Sequence, residues 1–220
     1  MRPFYHLATA TMKTLLTALT RWEVHGKRNV PRKGPLIVVS NHLTIVDPPL
    51  LGASIPRVVN FMAKEELYRT WFSRTVVEAY RAFPVHRGRL DRGAFREALN
   101  RLQNNLVVGM FPEGQRSSDQ KLQSPQFGAA LLALRAGAPL LPVGISGTER
   151  IKGLRFILHR PRVEVNIGPV FSLEPPDKRK LTREKLVQDS ERIMGKIALQ
   201  LPEQYRGHYG SGRVEGGDGS

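Results

Sequence analysis

An α/β domain with a mainly parallel, mixed central sheet flanked by helices, led by an N-terminal amphipathic helix, is the fold these 220 residues predict. Three observations predict it. From residue 36 onward, short apolar runs of strand length alternate with longer stretches of helical period. The first 22 residues carry a one-sided apolar pattern when turned by about 100° per residue. Two motifs rich in turn-forming and charged residues follow directly on two of the apolar runs, at the strand ends where ligands gather in sheets of this kind.

Length and composition bound the problem. One full-sized domain is expected at this length, divided as an N-terminal helix over 1–22, a folded domain over 23–201 and a tail over 202–220. Hydrophobic residues at 40% and charged residues at 24% are globular values. No cysteine is present, which removes disulfides, thiolate nucleophiles and cysteine-based zinc sites. Thirty-four Lys and Arg against 19 Asp and Glu leave a formal charge of +15, which favours anionic partners: phospholipid headgroups, nucleic acid or acidic metabolites. The first residues lack the pattern of a signal peptide, and no apolar run reaches the roughly 20 residues needed to cross a bilayer.

Taken in order, residues 4–22 read as an amphipathic helix. Phe4, Leu7, Ala8, Met12, Leu15, Leu16, Leu19 and Trp22 fall on one side, with His6, Thr9, Lys13, Thr17 and Thr20 on the other. Two readings stay open for it: a helix packed on the domain's own core, or an interfacial anchor suggested by Phe4, Tyr5 and Trp22 beside basic residues. Residues 36–39, 58–62, 106–111 and 140–145 read as buried strands, and 163–167 alternates like a half-exposed one. Residues 64–80, 91–105, 127–135 and 181–201 read as helices, with Asp91 as an N-cap. The end of the chain, GSGRVEGGDGS, is too Gly-rich and polar to bury a core, so the tail from Pro202 is expected to be disordered.

The motif NHLTIVD, residues 41–47, follows the strand at 36–39. His42 and Asp47 are five residues apart, which on a straight helix would turn them about 140° from each other. They meet only if the segment turns, and Pro48 and Pro49 favour that. In a turn, Asp47 can accept a hydrogen bond from one imidazole nitrogen and leave the other to take a substrate proton. The bland alternative is an aspartate capping a helix that begins with proline. A second motif, FPEGQRS at 111–117, combines a turn at Pro112 and Gly114 with Glu113 and Arg116, placing a carboxylate and a guanidinium together at the rim where a ligand would bind. Arginine is suited to bidentate contact with phosphate.

With these two motifs the sequence resembles the glycerolipid acyltransferases, the family of bacterial 1-acyl-sn-glycerol-3-phosphate acyltransferase. NHLTIVD and FPEGQRS match that family's first and third blocks in order. AFPVHRG at 82–88 looks like its arginine-containing block with Arg87 at the matching arginine, and LLPVGISG at 140–147 looks like its fourth block with Pro142 at the matching proline. The resemblance spans about residues 22 to 170. Gln115 stands where threonine is usual, Arg81 lies near where a glycine is common, and Pro125, Gln126 and Phe127 occupy a region that often carries lysines. These departures bear on the acceptor more than on the reaction.

The resemblance implies an O-acyltransferase of phospholipid biosynthesis that moves a fatty acyl group from acyl-CoA or acyl carrier protein to a hydroxyl of lysophosphatidate, with glycerol 3-phosphate or another lysophospholipid as alternative acceptors. It implies His42 as general base, Asp47 as its partner, and Arg87, Glu113, Gly114 and Arg116 as the acceptor site. No metal or bound cofactor is implied; the acyl thioester is a co-substrate. The expected location is peripheral, on the cytoplasmic face of an anionic membrane. A non-enzymatic anionic-lipid or nucleic-acid-binding module is the competing reading, but the Arg-rich stretch 81–101 interleaves only Phe83 and Phe95, so no nucleic-acid partner is expected. An acyl hydrolase ranks lower, because no G-x-S-x-G elbow occurs in the chain.

Overall fold

The computed structural model describes residues 2–69, 71–85, 91–153, 155–175 and 181–210. Its elements follow the predicted alternation. In chain order they are α1 (Arg2–Leu19), β1 (Arg21–His25), β2 (Leu36–Ser40), α2 (Asp47–Ser54), β3 (Val59–Lys64), α3 (Trp71–Ala79), β4 (Phe83–Val85), α4 (Arg92–Gln103), β5 (Val107–Met110), α5 (Gly128–Ala136), β6 (Leu140–Ser146), α6 (Phe156–His159), β7 (Arg162–Ile167) and α7 (Arg183–Ala198). Among the described residues the strands form one seven-stranded sheet in the order β1-β7-β6-β2-β5-β3-β4. From β6 to β4 every neighbouring pair is parallel; β7 runs antiparallel to β6, and β1 runs with β7. The sheet is mixed, as expected.

Two apolar layers explain why the central strands read as continuous hydrophobic runs. Successive side chains on a strand point to opposite faces. Leu36 and Val38 therefore join Tyr5 and Leu16 of α1 and Leu50 and Leu51 of α2 in one layer. Ile37 and Val39 join Ala98 and Leu102 of α4, Leu132 of α5 and Ile193 and Ile197 of α7 in the other. With both faces covered, no alternation of polar and apolar residues is left to see. Asp91 caps α4 as predicted, accepting from the backbone N–H of Gly93 and Ala94 at 2.9 and 3.1 Å.

Three sequence expectations change. The N-terminal helix ends at Leu19, and Trp22 belongs to β1, whose register against β7 starts at Arg21 and Arg162. Strand pairing overrides the helical period there. The buried stripe of α1 is also rotated from the predicted one: Tyr5, Thr9, Leu16 and Thr20 are inside, while Phe4, Leu7 and Leu15 are exposed. The Tyr5 hydroxyl accepts from the Val59 N–H at 3.1 Å, and the Thr9 and Thr20 hydroxyls donate to carbonyls of the helix itself at 2.7 and 2.6 Å, so polar residues line the buried side at little cost. The stretch 64–80, read as one helix, divides into a 3₁₀ turn at Glu65–Tyr68 and then α3.

The C-terminal tail is ordered further than its composition indicated. Glu203–Tyr205 and Gly207–Tyr209 form 3₁₀ turns, Tyr205 is buried, and its carbonyl accepts from the Leu122 N–H at 2.9 Å. Two tyrosines supply what the Gly-rich residues after them lack, apolar surface with a hydroxyl to satisfy. Tyr205 and Tyr209 donate to Glu149 at 2.7 Å and Glu191 at 2.6 Å. Residues 211–220, the rest of the expected tail, lie outside the described residues.

Neighbouring leucines test the position of α1. Leu16→Ala, which empties a site inside the core, is expected to lower unfolding free energy by about 2–5 kcal/mol. Leu15→Ala is expected to change it by no more than about 0.5 kcal/mol. Urea unfolding of the two variants is the measurement.

Candidate active site

β2 is buried at all five positions and delivers the first motif to the carboxyl end of the sheet. Asn41 extends the strand by one step. Its side-chain amide donates to the Ile145 carbonyl at 2.9 Å and its side-chain oxygen accepts from the Ile145 N–H at 2.8 Å, copying the ladder between β2 and β6. His42 is thereby held at the last fixed point before the chain turns. The turn runs through residues 43–46 and closes with the Asp47 N–H donating to the Thr44 carbonyl at 3.3 Å.

The turn brings the histidine and aspartate together. His42 Nδ1 lies 2.9 Å from Asp47 Oδ2, which also accepts from the backbone N–H groups of Leu43 at 2.6 Å and Thr44 at 2.7 Å. Oδ1 accepts from the hydroxyls of Thr44 at 3.1 Å and Thr148 at 2.8 Å. Asp47 is the first residue of α2, yet its carboxylate is directed back to residues 42–44 and makes no capping bond to the helix. The capping alternative is therefore not what the side chain does. An oxygen that already collects two N–H donors acts as an acceptor toward the ring, so Nδ1 carries the hydrogen and, in the neutral imidazole, Nε2 carries the lone pair. Among the described residues nothing bonds to Nε2. The ring plane is set by Phe111, stacked at 4.1 Å between centroids and 19° between planes.

The second motif grips the first through the backbone of His42. Glu113 Oε1 accepts from the His42 N–H at 2.9 Å, and the His42 carbonyl accepts from the Ser117 N–H at 2.8 Å. Glu113 Oε2 accepts from the Gln123 N–H at 3.0 Å. Both of its oxygens are thus spent on backbone, and the side chain is buried. The carboxylate expected at the rim beside Arg116 is instead turned inward. Gly114, at φ 71°, makes the bend that separates Glu113 from the exposed Gln115 and Arg116. Arg87 lies outside the described residues.

Burial dominates the electrostatics of Glu113. It pushes the carboxyl up to about 7, against the two backbone N–H bonds that favour the anion, with the charges of Asp47 and Asp119 adding smaller upward pushes.

Thr148, Asn41 and Phe111 belong to the site without having been singled out as site residues. Thr148 follows Gly147, whose φ of 87° and lack of a side chain let the chain pass against the Arg162 carbonyl and aim the threonine hydroxyl at Asp47. Thr148 lies 101 residues from Asp47, and no local spacing joins the two. Asn41 stood in the quoted motif, but its pairing with β6 is a fact of sheet order.

One group of carboxylates and histidine among the described residues could offer ligands to a metal, namely Glu23, His25 and Glu164 on β1 and β7. Arg162 already lies 3.1 Å from Glu23 and 2.6 Å from Glu164, so this cluster has its cation. The His42 site holds one imidazole and two carboxylates whose oxygens are taken up by N–H and O–H donors. It fits acid–base chemistry, not metal ligation.

A buried His–Asp pair at the carboxyl end of an α/β sheet, held by a Pro-Glu-Gly turn from the neighbouring strand, makes a general-base site. The Acyltransferase family model matches residues 21–146, and the chain belongs to that family. Its similarity is to bacterial 1-acyl-sn-glycerol-3-phosphate acyltransferases. The enzyme of that name from Bacillus subtilis (strain 168) is 29% identical over 151 residues, covering 68% of this chain and 75% of the relative. A lyso-ornithine lipid O-acyltransferase from Pseudomonas aeruginosa is 32% identical over 156 residues, covering 64% and 58%. The crystal structure of the 1-acyl-sn-glycerophosphate acyltransferase PlsC from Thermotoga maritima superposes with a TM-score of 0.68 at 27% identity, covering 90% of this chain and 80% of that one.

The raised Glu113 carboxyl has a signed consequence for stability. A carboxyl held above its unfolded value favours the folded state while protonated, and that contribution is lost as pH rises through the folded pKa of about 7. The melting temperature of the wild-type protein should therefore fall between about pH 4.5 and 7 relative to Glu113→Gln, and the two curves should run parallel above about pH 8. The slope is the readout, since the variant also exchanges one acceptor for a donor.

Proposed function

We propose that the chain acylates the free hydroxyl of a lysophosphatidate-type lipid with an acyl group from acyl-CoA or acyl carrier protein. The observation that carries this is His42, with Nδ1 committed to Asp47 at 2.9 Å and Nε2 left as a base. The acceptor hydroxyl gives its proton to Nε2 as its oxygen attacks the thioester carbonyl carbon. The tetrahedral intermediate then expels the thiolate, which recovers the proton from the imidazolium, giving an ester and a free thiol. Asp47 stabilises the imidazolium through the Nδ1 bond, as the third member of a Ser-His-Asp triad does. General-base catalysis of this kind supplies about 10²–10⁴-fold, and positioning supplies much of the rest.

Other residues take supporting roles in this reading. Arg116, exposed on the turn after β5, and Arg87, placed by motif resemblance, are the phosphate ligands. Gly114 shapes the turn, while Glu113 and Thr148 are positioning residues for His42 and Asp47. The formal charge of +15 favours the anionic donor, the phosphate-bearing acceptor and an anionic bilayer alike. No helix among the described residues is long and apolar enough to cross a membrane. Peripheral attachment through the exposed Phe4, Leu7 and Leu15 of α1 is the reading we adopt.

The test is thiol release from labelled acyl-CoA by purified protein supplied with lysophosphatidate, or with a lyso-ornithine lipid as the phosphate-free comparison. Turnover should require the acceptor and prefer the phosphate. His42→Ala should lose at least about 10²-fold in kcat with its melting temperature preserved. Arg116→Ala should raise KM for lysophosphatidate more than for the ornithine lipid. Full activity in a folded His42→Ala protein would contradict the mechanism.

A further inference from the structure

Apart from Phe4, Leu7 and Leu15 on α1, the most exposed large apolar side chains of the described residues are not scattered. Leu158 is 85% exposed, Trp71 82% and Ile45 66%, and they come from three separate segments. Their places in the topology bring them to one end of the sheet. Ile45 lies in the turn between His42 and Asp47, at the carboxyl end of β2. β6 runs parallel to β2, and β7 returns antiparallel with Ser146 opposite Glu164, so residues 147–153 and 155–161, with α6, project from that same end. β3 is parallel to β5, which is parallel to β2, so β3 also finishes there and α3 starts there. α3 then descends the face of the sheet: Tyr80, which follows it, packs on Tyr5, whose hydroxyl accepts from the N–H of Val59 at the start of β3. Trp71, its first residue, is therefore at the His42 end.

A single exposed leucine needs no explanation. Three strongly exposed apolar side chains around the one end that carries the His–Asp pair do. The charge around them indicates the partner. The stretch RIKGLRFILHRPR, residues 150–162, carries five Lys and Arg and no Asp or Glu. Lys152, Arg155 and Arg160 are exposed beside Leu158, as is Arg116 after β5. Carboxylates at this end include Glu65 and Glu66, which are exposed; Asp91, which caps α4; Glu164 and Glu23, both paired with Arg162; Asp119, which accepts from Ser117 Oγ and the Lys121 N–H; and Glu149, which accepts from Tyr205. The α6 turn is also tied to α1, since an Arg160 guanidinium nitrogen donates to the Thr17 carbonyl at 2.9 Å.

We propose that the carboxyl end of the sheet is itself the membrane-docking surface, with Leu158, Ile157 and Trp71 immersed in an anionic bilayer and Lys152, Arg155 and Arg160 at headgroup level. Tryptophan and aliphatic side chains flanked by cations suit that interface. The proposal rests on the reading of the acceptor as a membrane lipid and adds which face meets the membrane. Docked by this end, the protein holds His42 against the headgroup layer. A lysolipid hydroxyl can then reach Nε2 while its acyl chain stays in the bilayer.

The full chain reports on this without labels, because its two tryptophans differ: Trp22 packs against the core and Trp71 projects into solvent. Phosphatidylcholine vesicles containing phosphatidylglycerol should shift the emission to the blue, bromine-labelled lipid should quench it, and Trp71→Phe should abolish both responses. Ile157→Ser with Leu158→Ser should weaken vesicle partition by roughly tenfold or more. That variant should keep the melting temperature and its turnover of a short-chain acceptor dispersed in water. Vesicle-bound protein with unchanged tryptophan emission, and a serine variant that sediments like wild type, would overturn the docking face while leaving attachment through α1 intact. A wild-type protein that does not bind the phosphatidylglycerol-containing vesicles would overturn it too, as would loss of Trp71 exposure by self-association without lipid. A protein that quenches at Trp71 but does not acylate lysophosphatidate would count against the proposed function and leave the docking face standing.

Discussion

The arrangement depends on one buried carboxylate. Asp47 has no solvent exposure, and an ion in such a place is tolerated only when its oxygens are fully engaged, since the uncompensated cost is several kcal/mol. Here the engagement comes from the Leu43 and Thr44 N–H groups, the Thr44 and Thr148 hydroxyls and the His42 imidazole. Each requirement fixes something else. The two backbone donors fix the turn after β2, the Thr148 hydroxyl fixes the loop after β6, and the imidazole takes the orientation left to it. Hydrogen bonds to a charged acceptor contribute about 1.5–3 kcal/mol each, so a site assembled around one anion resists rearrangement by any single partner.

The same logic extends outward through the backbone of His42, whose N–H and carbonyl are both taken by the turn after β5. That turn is in turn backed by the C-terminal 3₁₀ segment through Leu122 and Tyr205. Three parallel strands thus contribute one loop each to the same few ångströms, which is possible because parallel neighbours place all their carboxyl ends on one edge of the sheet. Topology supplies the meeting point, and hydrogen bonding supplies the precision that general-base catalysis needs. Should the exposed apolar residues at this edge meet a bilayer as proposed, one constraint of the fold serves chemistry and docking together.

Much of this was legible in the chain. The five runs read as strands were all found as strands, because buried strands announce themselves by continuous apolar stretches bounded by turn residues. The His42–Asp47 pair was legible because five residues with two prolines behind them meet only in a turn. Other features were written in residues with no local signature. β1 and β4 lie at the two edges of the sheet, and Arg21 and Trp22 read as the end of a helix until β7 lies beside them. α1 buries threonines and leaves Phe4 and Leu7 outside, since its neighbours, not its own hydrophobic pattern, choose the packed side. Glu113 read as a ligand at the rim because sequence shows which residue is charged and not which way Gly114 turns it. Thr148 reaches Asp47 across the sheet order, which no spacing encodes.

Base catalysis by His42 requires that the imidazole keep its hydrogen on Nδ1 and its lone pair on Nε2. Long-range ¹⁵N–¹H correlation spectra of the uniformly ¹⁵N-labelled protein read this directly, with His42 assigned by comparison with His42→Ala. In the neutral ring the account predicts a pyrrole-type shift for Nδ1 and a pyridine-type shift for Nε2. A ring whose Nε2 carries the hydrogen, or whose two nitrogens share an averaged shift, would contradict it.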